Sequence, residues 1–203
     1  MSLITGEDRT FMTVTSPGLL PVVLAHHPFG MGDQALTPLQ GLLSGMGHPL
    51  LGPDHLLFLL ALCLVSWQQP RRWLAALLAT GLVGSAIALI APVPASMELA
   101  TEALVSLTLV LEGLVILGNL PKTLLFPAFT LHGWLLGGAI VGAEPSPLVG
   151  YFLGLFLAQG ALLLLVRQVC DPLQSLLGES GRRLIAGIWI GIGAAFAWSM
   201  VIA

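Results

Sequence analysis

The chain has 203 residues, of which 56% are hydrophobic and only 8% charged, with a formal net charge of −3. Soluble domains carry about 25% charged residues, so this composition excludes a soluble globular protein and predicts an all-α polytopic membrane protein. No basic patch with interleaved aromatics occurs, which argues against nucleic acid as a partner. Cys63 and Cys170 form no pair at a spacing that suggests a disulfide framework or a CxxC metal motif.

At the N-terminus, residues 18–25 read Gly-Leu-Leu-Pro-Val-Val-Leu-Ala, a short apolar stretch ending in a V-x-A site. They predict a signal peptide over 1–25, cleaved after Ala25, and a single membrane domain over 26–203. Cleavage would give His26 a free α-amine beside His27, a good chelate for nickel or copper. A membrane-crossing helix needs roughly 20 apolar residues. Six stretches qualify: 52–68, 73–92, 98–118, 123–143, 147–167 and 183–202. The segments between them, 68–72, 93–97, 118–122, 144–146 and 168–182, are expected as loops.

Lys and Arg mark the cytosolic side of such a chain. Arg71, Arg72, Lys122, Arg167, Arg182 and Arg183 flank alternate loops on one side, whereas the other side has Glu98 and Glu144 and no Lys or Arg. This split predicts a bacterial inner-membrane protein with the mature N-terminus and the C-terminus outside.

The first span starts at His48-Pro49-Leu50-Leu51-Gly52-Pro53-Asp54-His55. Ionisable side chains are costly within a bilayer and mark function there. His and carboxylate together are ligands for nickel, cobalt and zinc. From Asp54 to Trp67 the span covers about 21 Å, short of the roughly 30 Å hydrocarbon core. The first helix is therefore expected to be discontinuous, with an outer half-helix before a break at 48–53. Pro53 suits the first position of a new helix and Gly52 a cap, while Asp54 in the first turn meets the positive end of the helix dipole. In an unbroken helix His48 and His55 would lie about 10 Å apart, too far to share an ion at bonds of about 2 Å. A break that lets the chain fold back would bring His48, Asp54 and His55 together.

Further along, His132-Gly133-Trp134 lies in the fourth span, and Glu144 follows twelve residues after His132, about 18 Å along a helix. His132 is the candidate partner of the first motif. Glu144, Glu98 and Glu102, with His26 and His27, are candidates for an outer vestibule, and Glu112 for an exit path or for a neighbour of the cytosolic basic residues. Glycines at four-residue spacing (133/137, 138/142, 150/154, 187/191) predict close helix packing.

His48 to His55 resembles the HPxxGxDH signature of the HupE/UreJ family, hydrogenase and urease accessory membrane proteins regarded as nickel permeases. Phe129-Thr130-Leu131-His132-Gly133-Trp134 through Gly142-Ala143-Glu144 resembles the family's second stretch, an HG followed by GxE, and His26-His27-Pro28-Phe29-Gly30 is similar to cyanobacterial members. Many members place another His or acid between the HG and the final Glu; here Trp134 to Gly138 supply none. The resemblance implies a six-span permease that imports Ni2+, or Co2+, as substrate and uses no catalytic cofactor. His48, Asp54, His55 and His132 would handle the metal, and cytosolic nickel-delivery proteins would receive it. Two other readings remain open at this level. One is an intramembrane hydrolase with zinc held by three His and an Asp; the other is a metal-binding accessory protein without transport.

Overall fold

The computed structural model describes residues 36–66 and 71–202, and among these the chain is helical with no strand. The leader expected over 1–25, together with His26 and His27, lies outside the described residues. Helix α1 (Pro38–Leu51) opens on a capping box. The Gln40 amide donates to Thr37 Oγ1 at 3.3 Å, and the Thr37 amide donates to Gln40 Oε1 at 2.8 Å, which satisfies two donors that a helix start leaves orphaned. After Gly52 comes α2 (Pro53–Ser66), then α3 (Arg71–Ile90). A 3-10 turn at Ala95–Met97 leads into α4 (Glu98–Ile116), and a second at Lys122–Leu124 into α5 (Leu125–Gly138). Helix α6 (Pro145–Ile202) is divided at Gly178, whose φ of 58° and ψ of −167° lie where essentially only glycine goes. Its two legs, 145–177 and 179–202, are called α6a and α6b.

Among the described residues, four segments are long and apolar enough to cross a membrane: Arg71–Ile90, Ala95–Ile116, Pro145–Cys170 and Ser175–Ile202. The remaining helices, α1, α2 and α5, have 14 residues each, about 21 Å and too short to cross alone.

The helices associate in three principal pairs, α1 with α6a, α3 with α5, and α4 with α6b. A Cβ on Gly41 would collide with the Pro147 carbonyl, and one on Gly45 with that of Tyr151. Leu60, in α2, packs on Val166. Each of these pairs is 106 residues apart in sequence, so α1 and α2 run the same way along α6a on both sides of Gly52. The break is thus a kink, and the expected folding back does not occur. It is also narrower than expected. Helix α1 continues through Pro49 to Leu51, and Gly52 alone is extended (φ −76°, ψ 112°).

In the second pair, Gly133 abuts the Gly81 carbonyl and Gly137 that of Ser85, so α3 and α5 run parallel. Ser85 Oγ donates to the Gly133 carbonyl across the seam at 2.9 Å. In the third, Gly113 meets Ala186 and Ile190, and Gly193 meets Ser106 and Leu109, which makes α4 and α6b antiparallel. Lipid is as apolar as leucine, so close packing rather than hydrophobic burial drives such contacts. Gly133, Gly137, Gly150 and Gly154 serve this purpose as expected, whereas Gly138, Gly142, Gly187 and Gly191 face open space.

Two further expectations change. The stretch 168–182 is helical apart from Gly178, because α6a runs on to residue 177 before turning. Cys170 is disulfide-bonded, which the sequence spacing did not suggest. The core beneath the kink joins α2, α3, α4 and α5 through Phe58, Leu62, Leu77, Leu109, Leu125 and Phe129.

Candidate metal-handling site

The kink at Gly52 assembles the first half of the site. Pro53 has no N–H, and the amide of His55 donates to Asp54 Oδ1 at 2.9 Å instead of to a carbonyl one turn back. The same Oδ1 lies 2.9 Å from His55 Nδ1. A carboxylate only accepts, so the ring nitrogen must donate, which leaves the lone pair on His55 Nε2. That atom is buried and has no hydrogen-bond partner. A histidine held from behind by a carboxylate, with its other nitrogen bare, is the arrangement that orients imidazole towards metals. Asp54 therefore both caps α2 and aims the ring.

His48 sits in the last turn of α1 and is buried. Its ring centroid is 6.4 Å from that of His55. The His48 Nδ1 is 3.3 Å from the Tyr151 hydroxyl of α6a. His132 reaches the same place from α5. Its ring lies edge-on to His55 with centroids 4.8 Å apart, and Phe58 stacks on it at 4.1 Å. His132 Nε2 is 2.7 Å from the hydroxyl of Thr108 on α4. Five elements thus contribute to one buried spot.

An ion bound at about 2 Å from an imidazole nitrogen lies about 3 Å from the ring centroid, so two neighbouring ligands on one ion have centroids about 4.5 Å apart. His55 and His132 meet that spacing, and His48 stands one further step back. Among the described residues no three His, Cys, Asp or Glu side chains are disposed to hold a single ion as they stand. The site is therefore an open cluster of three histidine rings, His55 and His132 4.8 Å apart and His48 6.4 Å from His55.

The acidic candidates separate. Glu112 is fully buried on α4, one turn beyond Thr108 on the same face, and neither of its oxygens has a partner. It does not pair with the basic end of the molecule, where Arg182 instead binds Glu179 and the Ile116 carbonyl. Glu98 is exposed at the start of α4, Glu102 is half-buried one turn on, and Glu144 is exposed before α6a. Sequence reasoning missed Thr108, Phe58, Tyr151 and Gln159. Tyr151 is the chain's single tyrosine, set in an apolar run, and that was a readable signal. Gln159, two turns past Tyr151, is buried with its Oε1 unpartnered.

A family model described as HupE / UreJ protein matches residues 14–196. No curated protein and no solved structure matches the chain.

Proposed function

The chain belongs to the HupE/UreJ family, and from that premise we propose that it is a permease importing a divalent transition metal, Ni2+ first and Co2+ second, as cargo rather than as a catalytic cofactor. The observation that carries this reading is the bare, buried Nε2 of His55, backed by Asp54 and set edge-on to His132. Neutral imidazole suits nickel and cobalt. An incomplete ligand set favours passage over retention, because transport needs binding weak enough to release the ion.

The arrangement of helices supports six crossings, with the kinked α1–α2 as the first and the short α5 as the fourth. Parallel packing of α1–α2 with α6a and of α3 with α5, and antiparallel packing of α4 with α6b, is what six alternating crossings require. In this reading a leader over 1–25 is removed, both mature ends face the outside of the inner membrane, and the basic side faces the cytosol. Entry passes Glu98, Glu102, Glu144 and the His26–His27 end, selection falls to His48, Asp54, His55 and His132, and Glu112 lies on the way in. Cytosolic nickel-delivery proteins then receive the ion. A membrane potential of about 100 mV, inside negative, supplies roughly 4.6 kcal/mol to a divalent cation.

Nickel and cobalt uptake into proteoliposomes tests the reading. His48→Ala, Asp54→Ala, His55→Ala and His132→Ala are each expected to cut uptake at least tenfold, and uptake unchanged in all four would sink the proposed site.

A further inference from the structure

We propose that Thr108 is a positioning residue: its hydroxyl accepts the ring N–H of His132 and so fixes which nitrogen of that ring keeps a lone pair for the ion. The proposal rests on the permease reading above and deepens it.

The argument is one of proton counting. Thr108 Oγ1 lies within hydrogen-bonding distance of two groups, the Val105 carbonyl and His132 Nε2. A hydroxyl has one proton, and a carbonyl can only accept. Two oxygens in such contact with no proton between them repel, so the Thr108 proton sits on the Val105 carbonyl. The hydroxyl must then accept from His132, which puts the ring proton on Nε2 and the lone pair on Nδ1. Asp54 imposes the opposite choice on His55, whose proton sits on Nδ1 and whose lone pair is on Nε2.

The two rings are thus set in unlike ways, His132 to bind through Nδ1 and His55 through Nε2. The His132 ring cannot simply turn over to exchange its nitrogens, because Phe58 stacks on its face within a fully buried core. The relay also ends on a main-chain carbonyl of a helix, the least mobile acceptor available, and Thr108 joins α4 to α5. Partners of this kind tune metal ligands by 10- to 100-fold in affinity.

The test uses the full chain in lipid nanodiscs with 15N-labelled histidine, signals being assigned through single His→Gln variants. Metal-free wild type is expected to show His132 as the Nε2–H tautomer and His55 as Nδ1–H. Thr108→Val, which removes the hydroxyl at nearly constant shape, should shift His132 to a mixture and weaken Ni2+ binding about 10- to 100-fold, and Thr108→Ser should restore both. The proposal is overturned by an Nδ1–H tautomer at His132 in wild type, which is readable whether or not any variant folds. It is also overturned if Thr108→Val keeps both tautomer and affinity while His132→Ala loses nickel, in which case the permease reading stands. If His132→Ala itself leaves nickel binding and uptake unchanged, the permease site falls and the relay with it.

Discussion

At the scale of single residues, the molecule sorts its buried polar groups into two kinds. Some are tied off, as His55 is by Asp54 and His132 by Thr108. Others are left bare, as His55 Nε2 and both oxygens of Glu112 are. An unsatisfied buried polar group costs about 1–3 kcal/mol, a cost with no packing return at Glu112. Glu112→Leu fits the surrounding Leu109-Val110-Leu111 and Leu114-Val115-Ile116. It is therefore expected to raise the melting temperature in detergent and lower nickel uptake, as a residue kept for function should. A variant that melts earlier and transports normally would make Glu112 structural. The histidines and Asp54 were legible in the sequence because ionisable groups stand out in an apolar run. Thr108 was not, since a threonine in a membrane helix commonly bonds its own preceding turn, and only the approach of His132 from another helix gives that hydroxyl a second task.

At the scale of elements, glycine is what allows the short helices to reach the site. His132 is carried to His55 because Gly133 beside it lets α5 lie directly on Gly81 of α3. Gly133→Val places a side chain on that carbonyl. Overpacking of this kind costs typically 1–3 kcal/mol and occasionally more, so the expected result is an earlier thermal transition and loss of uptake together. Gly187→Ala is the matched control: nothing lies within 4 Å of an added Cβ, and alanine is the better helix former by about 1 kcal/mol, so stability should hold or rise with uptake intact. Equal damage from both would refute the packing account. The four-residue glycine spacing was readable in advance. Which repeats pack was not, because spacing fixes a shared face but not what that face meets.

At the scale of the whole molecule, the basic residues gather at one end. Arg71 and Arg72 begin α3, Lys122 precedes α5, and Arg182 and Arg183 begin α6b next to the end of α4, where Arg182 binds the Ile116 carbonyl. With that end in the cytosol, alkaline phosphatase fused after Ala203 should be active, and green fluorescent protein inserted at Gly178 should fluoresce. The reverse pattern would invert the topology. The sequence by itself determined the class of protein and the motif at 48–55. Each of these follows from composition or short-range order, which every copy of the chain carries whatever its fold. Only the tertiary structure decided that the chain kinks at Gly52 rather than doubling back, that 168–182 is helix on both sides of one glycine, and that Thr108 of another helix faces the His132 ring. Those outcomes depend on contacts between helices, and the register of such contacts is set by where one helix backbone fits against another, which no local pattern encodes.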